Sequence, residues 1–220
     1  MAKLSEIFKA TSRSVTSLNI AALQWLQGKY TQIVTGRGLT PSQIIREGNQ
    51  VQRLEPGDMY FFAYLPATRK KLPYYDLFPL MIPIEEYSST QYLGINFHYL
   101  PYNLRQRLLN NLMERVQRGG DAGHGDQGVY FRIDYNLIKT VARFKEAKPC
   151  IHRYNLRQLR SRIVVVNEED WQMAIHLPVE RFQKASKRTI WSDSRRIIRE
   201  GIWWQKKDKL EYLVLINLIV

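Results

Sequence analysis

Residues 57–101 read GDMYFFAYLPATRKKLPYYDLFPLMIPIEEYSSTQYLGINFHYLP, and this stretch decides the fold. Tyr60, Phe61, Phe62, Tyr64, Tyr74, Tyr75, Phe78, Tyr87, Tyr92, Phe97 and Tyr99 crowd into it, interleaved with prolines. Glu55-Pro56-Gly57-Asp58 is a turn signal, and the β-formers of MYFFAYL follow it. PATRKKLP is a polar connection to a second extended piece, LFPLMIPI. Pro79 and Pro83 share one side of that piece, and neither can donate a ladder hydrogen bond, which predicts an edge or bulged strand. The turn EEYSSTQ then leads into YLGINFHYL, where Gly94 marks a bulge or a close backbone approach. Short, bent strands at this spacing predict a small SH3-like or related β-barrel. Such a segment suits a rigid, specific surface better than a reaction centre.

Helical patterns flank the β segment, so the expected class is α+β, with N-terminal helices and a basic helical C-terminal half. Residues 1–55 form an N-terminal helical segment, with Ile7, Leu18, Ala21, Leu23, Trp25 and Leu26 near helical spacing. Thr40 before Pro41 is an N-cap with proline at the first helical position, starting PSQIIREGNQV. Pro101 starts PYNLRQRLLNNLMERV, with Leu104, Leu108, Leu112 and Met113 on one face. A glycine-rich loop at 119–128, a helix over 131–147, the strand IVVV, an acidic helix start at NEEDWQMAIHLP and a helix from near Trp191 follow. GIWW and LEYLVLINLIV predict a closing hairpin. The division is thus 1–55, an aromatic β module at 56–101, and a basic α+β region at 102–220 packed with the β module.

The chain of 220 residues has a formal net charge of +13 and a pI near 9.9, which favours a polyanionic partner. The excess is uneven: +4 over residues 1–55, +1 over 56–140 and +8 over 141–220. Arg153, Arg157, Arg160 and Arg162 form one cluster in IHRYNLRQLRSR, a basic helix or extended arm, and the first three fall at i, i+4, i+7, the spacing of a helical stripe. Lys184, Lys187, Arg188, Arg195, Arg196 and Arg199 form a second. Arginine's planar fork suits phosphate and carboxylate alike. These ten residues are the candidate contacts to DNA or to an acidic partner. Trp191, Trp203 and Trp204 interleave with the second cluster and could stack on bases. Pro73, Tyr74, Tyr75, Phe78 and Pro79 are the candidate interface or barrel-wall residues.

Other chemistry finds little footing. The single cysteine, Cys150, excludes an internal disulfide and fits a reducing cytoplasm. His98, His124, His152 and His176 lack metal-ligand spacing, and no phosphate-cradling glycine motif occurs. Asp58, Asp76 and Lys71 are the one set that could converge as a nuclease centre, against a structural reading of each. The N-terminus shows no signal-peptide pattern, and the longest apolar run, LVLINLIV, has about half the length a bilayer span needs. No catalytic residue, metal or cofactor is expected, and no membrane partner.

LPYYDLFPLMIPI, YLGINFHYLP, RFKEAKPCIHRY and LPVERFQKASKRTIWSDS together resemble a family of virion-associated proteins of T-even-like myophages and their marine relatives. The resemblance covers roughly residues 57–195 and leaves residues 1–50 and the glycine-rich loop outside it. It implies a non-enzymatic structural or assembly protein of the phage virion, made in the host cytoplasm. One role it implies is contact with packaged DNA or its ends at head completion. The other is a baseplate or tail component whose arginines pair with acidic subunits. Other virion proteins and duplex DNA are the expected partners, and the chain can multimerise in a symmetric assembly.

Overall fold

The computed structural model describes residues 40–119 and 144–200. The expected N-terminal helix before Thr40, the glycine-rich loop from residue 120, most of the 131–147 helix, Trp203, Trp204 and the closing hairpin lie outside the described residues.

Local signals hold at the helix starts, but Asn49–Val51, expected as the end of the helix that starts at Pro41, is a strand paired with Ile163–Val165. Helix α1, Pro41–Glu47, starts on a capping box: the Thr40 hydroxyl accepts from the Gln43 N–H at 3.3 Å, and the Gln43 side chain accepts from the Thr40 N–H at 2.7 Å. Helix α2, Tyr102–Gly119, buries Leu108, Leu109 and Leu112 along one face. Helix α3 is the single turn Trp171–Ala174. Helix α4, Lys187–Glu200, begins four residues before Trp191 and buries Ile190, Ser194 and Ile197. Ser186 caps it, its hydroxyl accepting from the Thr189 N–H at 3.2 Å.

Among the described residues there are eight strands: β1 (Asn49–Val51), β2 (Met59–Phe61), β3 (Tyr75–Asp76), β4 (Leu80–Ser88), β5 (Gln91–Asn96), β6 (Ile151–Asn155), β7 (Ile163–Val166) and β8 (Phe182–Gln183). Six form one antiparallel sheet in the order β1-β7-β2-β4-β5-β6, and β3 pairs with β8 in a second. The fold is α+β as expected, but the barrel is not there: among the described residues β1 and β6 are the open edges of the sheet. Strand β7 reaches back from the C-terminal half and inserts between β1 and β2.

Strand β4 is interior rather than an edge over Leu80–Met81, where it pairs with both β2 and β5. Pro83 is tolerated because β2 has ended there, and its carbonyl accepts from the Gly57 N–H at 3.1 Å. The register shifts between Pro83 and Glu85, the bulge that the prolines predicted. Gly94, opposite Pro83, is a close approach: a Cβ there would sit 2.3 Å from the Met81 sulfur.

Alternation along the strands splits the core in two. Met59, Phe61, Leu80, Ile82, Leu93, Ile95 and Val164 face a layer that includes α1, α2 and α4. Tyr60, Phe62, Tyr64, Met81, Tyr92, Tyr154 and Ile163 face the other way, and their rings pack edge to face, as Tyr64 and Tyr154 do at 5.1 Å.

Candidate nucleic-acid interface

The site is built around the short β3–β8 pair, which two buried carboxylates hold from beneath. Asp76 is 4 % exposed and takes four contacts: His98 Nδ1 at 2.8 Å, Asn96 Nδ2 at 3.1 Å, and the backbone N–H groups of Phe78 at 3.1 Å and Arg181 at 3.3 Å. Glu180 accepts from Lys187 Nζ at 3.1 Å and from the Tyr102 hydroxyl at 3.3 Å, and Arg105 lies 3.7 Å from its other oxygen. Burial alone would push the Glu180 carboxyl up, but Arg105, His98 and Lys187 together hold it below the usual carboxylate range. Arg105 is itself fully enclosed, donating to the carbonyls of Leu100 at 2.7 Å and Ile175 at 2.9 Å. Its guanidinium sits over the Tyr102 ring at 4.5 Å. Asp58 has a different task, accepting from the Tyr60 hydroxyl at 3.2 Å, while Lys71 is exposed and Asp76 is spoken for by His98.

Above this buried scaffold, segments distant in sequence lie side by side. The Arg160 N–H donates to Ala63 at 2.9 Å and the Leu65 N–H to Gln158 at 3.1 Å. On the other flank, Tyr64 N–H donates to Leu77 at 2.8 Å, and Leu77 N–H to Arg181 at 2.9 Å. Lys184 then clamps the polar loop, its Nζ donating to the carbonyls of Lys70 at 3.0 Å and Leu72 at 2.8 Å. The clamp accompanies a left-handed backbone at Lys184, φ 69°. These bonds join, one to the next, the segments that carry Arg157 and Arg160, Arg69, Lys70 and Lys71, and Arg181, Lys184, Lys187 and Arg188, together called the basic row. Among the described residues no carboxylate pairs with Arg69, Lys70, Lys71, Arg157, Arg160 or Arg188. The first turn of α4 carries Lys187 and Arg188 and no acid, so cations crowd the positive end of its dipole.

The candidate residues fall unevenly on this geometry. Arg153, Arg157 and Arg160 do not form a helical stripe: Arg153 lies in β6, Arg157 in the 3₁₀ turn Leu156–Gln158, and Arg160 in the connection to β7. Asn155 breaks the pattern, its side chain accepting from the Arg157 N–H at 3.0 Å. Arg162 is exposed and donates to Gln50 at 2.9 Å. The stripe belongs to α4 instead, where Arg188, Arg195 and Arg199 fall within about 40° of one another at about 100° per residue. Arg196 flanks it beside Asp193 at 3.6 Å.

Trp191 does not stack outward. It is half-buried, and its indole N–H donates to the His98 carbonyl at 2.9 Å. Of the interface candidates, Pro73 is exposed, and Tyr74 is half-buried against Tyr99. Tyr75 is in β3, Phe78 stacks on Phe61 at 6.2 Å, and Pro79 is buried. Sequence reasoning did not place Arg69, Lys70 and Lys71 among the candidate contacts to DNA, and considered Lys71 only with Asp58 and Asp76. The signal was present, three consecutive cations in a turn, but it sits in a nearly neutral segment.

No curated protein and no solved structure matches the chain. A family does: the one described as Phage T4 terminal DNA protecting protein matches residues 40–199. That span holds both buried carboxylates, the β3–β8 pair and the whole basic row, and the chain belongs to the phage T4 terminal DNA protecting protein family.

Proposed function

We propose that the basic row is the surface with which this protein holds duplex DNA, as a non-enzymatic component of the virion that contacts packaged DNA or its ends at head completion. The observation that carries this reading is the juxtaposition of 157–160, 69–71 and 181–188. Hydrogen bonds hold three basic runs in adjoining segments, while the acids Asp76 and Glu180 are buried and committed to other partners. Unpaired arginines and lysines on a rigid backbone suit phosphate oxygens, and they position a duplex without reading its sequence.

Duplex binding by the purified chain, titrated against salt, tests it. Each neutralised phosphate contributes a slope of about −0.9 in log K against log salt. Replacing Lys70, Arg157 and Arg160 together by Ala is expected to shrink the slope by about 2.7. A triple variant with an unchanged slope would sink the assignment. If that variant also failed to join the particle, these cations would be contacts to acidic subunits, as the tail or baseplate reading holds.

A further inference from the structure

The hairpin that joins β4 to β5 carries a feature the basic row does not use. Tyr87 is 44 % exposed, and among the described residues it is the large hydrophobic side chain that stands open. Its exposure is built into the backbone. Glu86 pairs with Tyr92 and Ser88 with Gln91, so Tyr87 is the extra residue of a β-bulge. A bulge re-aims the side chain it carries and often does so beside a binding site. The ring is also held. Arg153 on β6 places its guanidinium 4.2 Å from the Tyr87 centroid. The hairpin tip is tied to the start of the basic row, because Leu156 N–H donates to the Thr90 carbonyl at 2.8 Å.

The charge around Tyr87 narrows what it can meet. Glu85 and Glu86 precede it, neither buried, and they repel the phosphate-lined side of a duplex. A duplex end differs from its side. It presents the flat face of a terminal base pair, with phosphates only at its margin, and every base offers a π-face to an aromatic ring.

We propose that Tyr87 stacks on the terminal base pair of a blunt duplex end, with Arg153 supporting the ring, while the basic row grips the flanking phosphates. This rests on the DNA-binding reading above and adds to it the residue that meets the end and the stacking contact it makes.

The test uses the full chain and two forms of DNA. One is a blunt duplex with 2-aminopurine at its terminal pair or at its centre, and the other is a closed circular duplex. The wild-type chain is expected to prefer the linear form and to change the emission of the terminal probe but not the central one. Tyr87→Ala should weaken end binding about tenfold and abolish the terminal signal, with circle binding unchanged. Tyr87→Phe should keep both. Equal end binding by Tyr87→Ala and wild type overturns the proposal but leaves the phosphate contacts standing, as does a wild type without end preference. A wild type that binds neither DNA form sinks both readings.

Discussion

The charges buried around β3 and β8 and the exposed cations of the basic row are the same chemical groups in opposite surroundings. Asp76, Arg105 and Glu180 are each under 5 % exposed, and their contacts fix backbone: the Arg181 N–H, the Leu100 and Ile175 carbonyls, the start of α4. Lys70, Arg157 and Arg160 are exposed, and their side chains have no carboxylate among the described residues. Removing a buried charge strands its partners in a medium that cannot solvate them. Removing an exposed one strands nothing, because water replaces it. The buried set therefore belongs to the fold, and the contacts proposed for DNA are drawn from the exposed set. Residues far apart in sequence, in LPYYD, INFHYL, NLRQR and LPVERF, thereby converge on one buried knot.

The largest effect that could break this comparison is at Arg105. Arg105→Ala leaves Glu180 buried with one cation fewer and two carbonyls without their donor. A destabilisation of about 3–5 kcal/mol is expected in chemical denaturation. A loss below about 1 kcal/mol would mean that the knot is not the anchor of the β3–β8 pair.

A middle-sized effect comes from pH. His176 is buried, its Nε2 donates to the Gln106 amide oxygen at 2.9 Å, and burial with the nearby Arg105 lowers its pKa to about 4. The unfolded chain, with an ordinary histidine near 6.5, binds more protons between those values, so stability falls as pH drops through that window. The loss from this group should reach about 2 kcal/mol by pH 5. Denaturation curves at pH 7 and pH 5 on wild type and His176→Gln measure it. An unflattened pH dependence in the variant would assign the loss elsewhere.

The smallest effect sharpens the other side. The Lys70, Arg157 and Arg160 triple alanine variant should unfold within about 0.5 kcal/mol of wild type per site. A cost of several kcal/mol would mean that these cations support the fold and would remove the reason to reserve them for DNA.

Much of the local structure was legible in the residues. Thr40-Pro41 with Gln43 encodes the start of α1, the leucines of 104–112 encode the buried face of α2, and the valines of 163–166 encode β7. The bulge in β4 was readable from Pro83, and the close approach from Gly94. The i, i+4, i+7 spacing of Arg153, Arg157 and Arg160 misled, because spacing alone does not make a helix where Asn155 offers the backbone a competing turn.

By itself the sequence determined the α+β class, the helix starts, the surplus of positive charge and the resemblance to a phage virion family. These live in residue type and in signals only a few positions long. Tertiary structure alone decided that β1 and β6 are the edges of the sheet among the described residues, that β7 slots between β1 and β2, and that Trp191 turns inward to the His98 carbonyl. It also decided that the loop at 69–71 joins the second basic cluster, through a contact between Lys184 and Lys70 spanning 114 positions. Strand order and side-chain convergence depend on which distant surfaces bury each other best, and no local period or cap carries that information.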